Sequence, residues 1–142
     1  MADIIHADVI IPGNVTAEVL AAEEPLSFWG GYSHETGEII DRRHPLSGQN
    51  AAGCILAVPF SRGSSTTTAV LLESLRAKTA PAAILTSTPD AFFALASIIA
   101  DELYQSPIPL FVSNPPMISI TVKVKFSRKA VRILPTVSGG WG

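Results

Sequence analysis

Residues 61–68, Ser-Arg-Gly-Ser-Ser-Thr-Thr-Thr, set six hydroxyl side chains, one cation and one glycine between an apolar run and a helical pattern. A helix N-terminus presents unpaired N–H groups and a partial positive charge. Gly63 permits a tight turn and close approach of backbone to a ligand. The carboxyl edge of parallel strands is where α/β proteins bind ligands. Together these features suit a carboxylate or a phosphate. The stretch is not a P-loop, because the Gly-Lys-Ser/Thr ending is missing. It is not a nucleophile elbow either, because Gly-x-Ser-x-Gly is missing. On spacing alone, a Ser-capped helix beside a structural loop explains the same residues.

A second stretch, from Leu26 to Gly53, offers Ser27, Trp29, His34, Asp41, Arg42, Arg43 and His44. Asp, Arg and His close in sequence can shape an anion or acid/base site. Local sequence favours the plainer reading, a solvated turn with His44-Pro45 as a rigid kink. His6 falls in a strand and is expected to pack or face solvent. Cys54 opens an apolar strand and reads as a small core residue rather than a reactive thiol.

The elements that must position these residues alternate. Ile4 to Ile11 is β-rich and ends at the turn Pro12-Gly13-Asn14. Val15 to Ala22 suits a return strand or a short helix. Residues 23–53 are mostly loop, and such long irregular regions are usually functional or disordered. Phe28-Trp29 argues against disorder. Cys54 to Pro59, Ala82 to Leu85 and Pro107 to Val112 are short apolar runs, the pattern of strands buried on both faces. Between them lie a helix starting near Thr66 and a second over Phe92 to Leu103, started by a Thr or Ser cap with Pro in the first turn. The order β-α-β-α-β predicts parallel strands joined by right-handed crossovers. Ile118 to Phe126 alternates strictly, which predicts a half-buried strand with Lys123 and Lys125 on its wet face and Val131 to Leu134 as its partner. Residues 136–142 are expected to be a loose tail after a core spanning about 1–135 of one domain, 1–142.

Composition limits the function. Only 15% of the 142 residues are charged, against about 25% in typical soluble domains. The net charge of −2 and pI near 5.9 exclude a general nucleic-acid or anionic-membrane binder. A mean hydropathy of +0.35 comes without an apolar run of the roughly 20 residues a membrane span needs. The N-terminus lacks the basic region of a secretory signal. One cysteine allows no internal disulfide and fits a cytoplasmic setting. Alone it cannot hold an iron–sulfur cluster or a structural zinc. So apolar and charge-poor a chain suggests one half of an assembly.

Four stretches form an ordered set: residues 24–31 (Glu-Pro-Leu-Ser-Phe-Trp-Gly-Gly), 36–48 (Thr-Gly-Glu-Ile-Ile-Asp-Arg-Arg-His-Pro-Leu-Ser-Gly), 61–65 (Ser-Arg-Gly-Ser-Ser) and 79–84 (Thr-Ala-Pro-Ala-Ala-Ile). As a set they resemble the small subunit, or swivel domain, of the aconitase X family, over roughly residues 1 to 135. The resemblance implies an α/β fold: a swivelling β/β/α domain with a parallel β-α-β-α-β core and additional antiparallel strands from the N- and C-termini. It implies a hydro-lyase that works only with a large catalytic subunit. Two dehydrations are known in the family, of cis-3-hydroxy-L-proline to Δ1-pyrroline-2-carboxylate and of mevalonate 5-phosphate. The resemblance also implies that this chain binds no cofactor. An iron or iron–sulfur centre is expected on the partner large subunit, so no metal ligand is expected here.

In the wider aconitase superfamily the first serine of a Gly-Ser-Ser loop is the catalytic base, which maps to Ser64 of Gly63-Ser64-Ser65. An Arg usually follows the two serines there; here the residue is Thr66, and Arg62 precedes the glycine instead. Arg62, Gly63, Ser65 and Thr66 are then expected to bind substrate, and Trp29 with Gly30 and Gly31 to wall the cleft. Asp41 and His44 are expected to orient that wall or contact the partner. A non-catalytic swivel or assembly module is the alternative from a different class.

Overall fold

The computed structural model describes residues 3–63, 65–113, 117, 119–121 and 130–135. In chain order the strands are β1 (Asp3–Ile11), β2 (Thr16–Ala17), β3 (Val19–Ala21), β4 (Leu26–Ser27), β5 (Ile55–Ala57) and β6 (Ser61–Arg62). Helix α1 (Thr66–Arg76), β7 (Ala83–Thr86), α2 (Ala91–Tyr104), β8 (Leu110–Ser113) and β9 (Val131–Pro135) follow.

Among the described residues the main sheet has the order β2-β9-β1-β8-β7-β5-β3. Strands β3, β5, β7 and β8 run parallel, so the predicted β-α-β-α-β core is present. β1 joins it antiparallel to β8, and β9 lies parallel to β1. The strands from both ends of the chain therefore run against the core. Val15 to Ala22 resolves into β2 and β3 rather than a helix.

Alternation along the strands divides the core in two, because successive side chains point to opposite faces. Leu56 and Ile84 pack on one face with Leu71 of α1 and Phe93 of α2. Ile55, Ala57, Ala83 and Leu85 pack on the other with Phe111, Ile5 and Ile133. Each buried Leu, Ile or Phe among them contributes about 1.5–3 kcal/mol.

The second face explains the main departure from the sequence reading. Residues 119–121 are helical, as is Met117, and not part of a strand. Met117 and Ile120 lie three apart, so one helical turn sends both onto the second face. Thr121 donates from its hydroxyl to the Met117 carbonyl at 2.9 Å. The alternating Ile and Val residues carry strand propensity, but a sheet face needing an apolar cover outweighs it. Residues 118 and 122–126, with Lys123 and Lys125, lie outside the described residues, as does the tail 136–142. Val131 to Leu134 finds its partner in β1, with β2 on its other edge.

The cap of α2 also differs from expectation. It is Asp90, whose side chain accepts from the Phe92 and Phe93 amides at 3.0 and 3.1 Å. Pro89 precedes the cap instead of occupying the first turn. No helix among the described residues is long and apolar enough to cross a membrane.

Candidate active site

The site begins where β5 runs out. Beyond Ala57 the chain passes through Val58, Pro59 and Phe60 into β6, then reaches the first turn of α1. Ser87 holds this exit, donating to the Pro59 carbonyl from its amide at 3.0 Å and its hydroxyl at 3.3 Å.

Short strands β4 and β6 pair in parallel, Leu26 with Ser61 and Ser27 with Arg62. This pairing joins two segments that lie more than thirty residues apart. It sets the turn Trp29-Gly30-Gly31 beside the Arg62-Gly63 corner. Gly63 has φ +120°, a conformation that favours glycine. A Cβ on Gly31 would overlap the Ser27 carbonyl. Trp29 stands 73% exposed beside this corner, while its neighbour Phe28 is fully buried. Phe28 stacks on Tyr32 at 5.0 Å and meets Phe93 edge-on at 5.4 Å. The Trp29 turn thus has a rigid base in the core.

Arg62, Gly63, Ser65 and Thr66 are all exposed at the mouth. Ser65 occupies the cap position of α1, but its backbone is helical and its hydroxyl caps nothing. That hydroxyl is not consumed by the fold. Thr67, in the first turn, is fully buried, and its Oγ1 has no hydrogen-bond partner among the described residues. Thr68 donates to the Phe92 carbonyl at 3.1 Å and locks α1 to the start of α2. Ser64 lies outside the described residues.

Asp41 and His44 sit behind the wall. His44 is buried; its Nδ1 accepts from the Leu46 amide at 3.1 Å, which leaves Nε2 to donate to the Glu24 carbonyl at 3.1 Å. The ring ties its loop to the segment leading into β4. Asp41 accepts from the Arg43 amide at 3.0 Å, and its Cβ lies beside Gly31. The turn from Asp41 to His44 is solvated at Arg42 and Arg43, as expected, but the His44 ring is buried beneath it. The 23–53 region adds Phe28, Tyr32, Ile39, Leu46 and Ala51 to the core on the helix-covered face of the sheet.

Other candidates lie elsewhere. The His34 carbonyl accepts from Thr79 beyond the C-terminal end of α1, and His6 is exposed on β1. Cys54 precedes β5, at the opposite end of that strand from the site. Its thiol reaches toward the Asn50 carbonyl, and burial, then Glu18, push it up. No group of three His, Cys, Asp or Glu converges among the described residues. The described residues do not fit an iron site.

One residue escaped the sequence reading. Asp90 Oδ2 accepts from both the amide and the hydroxyl of Ser61, at 2.7 and 2.8 Å. The same carboxylate that caps α2 therefore pins β6 under the site. The signal was available: an Asp directly before an apolar helical run is a cap signature.

A family model described as the aconitase X swivel domain matches residues 4–133. The chain belongs to the aconitase X swivel-domain family. A cis-3-hydroxy-L-proline dehydratase of Pseudomonas aeruginosa is 46% identical over 110 residues, covering 74% of this chain and 19% of that protein. The chain thus spans about a fifth of that relative's length. A phosphomevalonate dehydratase small subunit of Methanothermobacter thermautotrophicus is 38% identical over 96 residues, covering 68% of this chain and 73% of that one. The crystal structure of Thermococcus kodakaraensis aconitase X in its holo-form superposes with a TM-score of 0.68 at 31% identity, over 76% of this chain and 78% of that one. The swivel fold expected from the four motifs is the fold observed.

Proposed function

We propose that this swivel domain is the small subunit of a two-part hydro-lyase that dehydrates cis-3-hydroxy-L-proline to Δ1-pyrroline-2-carboxylate, with Ser64 as general base. The observation that carries the reading is the parallel pairing of β4 with β6, Ser27 against Arg62, which runs the strand leading to Trp29 alongside the strand leading to Gly63 and α1. The substrate choice follows the relative at 46% identity.

Dehydration removes the proton on the carbon next to the carboxylate and expels the neighbouring hydroxyl, which leaves with a proton as water; the ring enamine so formed becomes Δ1-pyrroline-2-carboxylate by shifting its N–H proton to the adjacent ring carbon. A serine alkoxide is too unstable in water to form freely. At the positive end of a helix, beside Arg62 and away from water, it is electrostatically favoured. Ser65 and the exposed N–H groups of the first turn hold the substrate carboxylate. Trp29 covers the cleft when the domain closes over its partner and excludes water. Asp41 and His44 hold that wall. Iron or an iron–sulfur centre belongs to the large subunit, and the complex works in the cytoplasm.

A second reading, dehydration of mevalonate 5-phosphate, is favoured by the match to 73% of a phosphomevalonate dehydratase small subunit. A phosphate calls for several cations, and the 61–68 loop supplies Arg62 alone. Turnover of the reconstituted complex on both substrates, side by side, decides between them. Ser64→Ala should cut turnover about 10²–10⁴-fold with assembly intact. Unchanged turnover would sink the base assignment and leave an assembly module.

A further inference from the structure

Helix α2 turns an apolar face to solvent. Phe93, Ala96, Ser97 and Ala100 are buried against the sheet and α1. On the other side Leu95 is 46% exposed, Ile98 54% and Leu103 64%. Leu95 and Ile98 are one turn apart, so they form a continuous outward stripe. Single exposed apolar residues need no explanation, but contiguous ones mark an interaction surface.

The charges on this helix point to what covers it. Asp101 and Glu102 sit in its last turn, at the negative end of the helix dipole, and that turn holds no basic residue. Carboxylates there oppose the dipole. Neither forms an ion pair among the described residues, where the Arg76–Glu73 pair on α1 is the one found. A surface with an apolar centre and a cationic rim would cover the stripe and relieve both carboxylates.

We propose that the outward face of α2, Leu95 and Ile98 with Asp101 and Glu102, is the docking surface for the large subunit, which presents an apolar patch edged by Lys or Arg. The inference rests on the two-subunit reading above. About four-fifths of the Pseudomonas relative lies outside the segment matched by this domain, so there such a domain works against a much larger body. Continuity with the site supports the same face. Asp90 begins α2 and also holds the Ser61 amide and hydroxyl. A partner seated on α2 therefore fixes the position of β6 and the Arg62 corner through one carboxylate.

The test co-expresses the chain with a tagged large subunit from the same organism and measures capture and Kd. Wild type should bind, and Ser64→Ala should bind equally. Leu95→Asp with Ile98→Asp should keep the helical circular dichroism and Tm of the isolated chain yet bind at least 100-fold more weakly. Asp101→Lys with Glu102→Lys should weaken binding tenfold or more and flatten its salt dependence. As a check independent of folding, thiol labelling of Ile98→Cys in a Cys54→Ala background should slow on complex formation, while Glu35→Cys stays reactive. Undiminished binding by the Leu95 and Ile98 double variant, or unprotected labelling at position 98, overturns the docking face. So does a homodimer of this chain that the same substitutions dissolve without affecting large-subunit binding. Failure of wild type to bind any large subunit overturns the two-subunit reading itself.

Discussion

Asp90 shows how much one carboxylate can organise. Its two oxygens accept four hydrogen bonds, two from the first turn of α2 and two from Ser61. Asp90→Ala should destabilise the chain by about 2–4 kcal/mol, combining a lost cap with stranded buried donors. Asp90→Asn keeps one accepting oxygen and should cost less. Urea unfolding of the two variants checks the order; equal midpoints would mean that the one oxygen Asn retains contributes nothing. Sequence pattern could have found the cap, but not the Ser61 contact, because 29 residues separate the partners. The position of Arg62 and Gly63 just before α1 was legible from type and spacing. His44 was not: His-Pro beside two arginines reads as a surface turn, and only burial turns it into a brace.

At the scale of elements, the 23–53 region is the clearest gap between sequence and structure. Its glycines and prolines hide a folded unit, because its apolar residues follow no period. Tyr32 anchors that unit. Its hydroxyl donates to the Thr79 carbonyl at 2.6 Å, and burial, with a smaller effect from Cys54, pushes the phenol well above its ordinary value of 10.0. Below pH 10 the folded and unfolded chains both keep this proton, and the contribution is full. Above pH 10 the unfolded chain releases it and the folded chain does not, so stability falls as pH rises. Tyr32→Phe should cost about 1–2 kcal/mol at neutral pH and make the alkaline decline shallower. Melting curves of both proteins from pH 8 to 11.5 test this; parallel declines would show that Tyr32 is not the group responsible. The helical turn at Met117 and 119–121 makes the same point: local propensity favoured a strand, and the uncovered sheet face decided otherwise.

For the whole molecule, charge and apolar content pointed to a partner before any motif did. The isolated chain should dehydrate neither cis-3-hydroxy-L-proline nor mevalonate 5-phosphate, and the large subunit alone should do neither. Activity should appear on mixing, and activity of this chain by itself would overturn the divided site. Sequence alone determined the parallel β-α-β-α-β core, the positions of α1 and α2 and the loop expected to carry chemistry. Those follow from hydrophobic runs, caps and glycines, which act within a few residues of themselves. Tertiary structure alone decided that β4 pairs with β6, that β9 joins β1, that Asp90 reaches Ser61 and that α2 keeps an apolar face uncovered. Each of these depends on residues far apart in the chain, whose proximity is settled by how the faces of the sheet are filled.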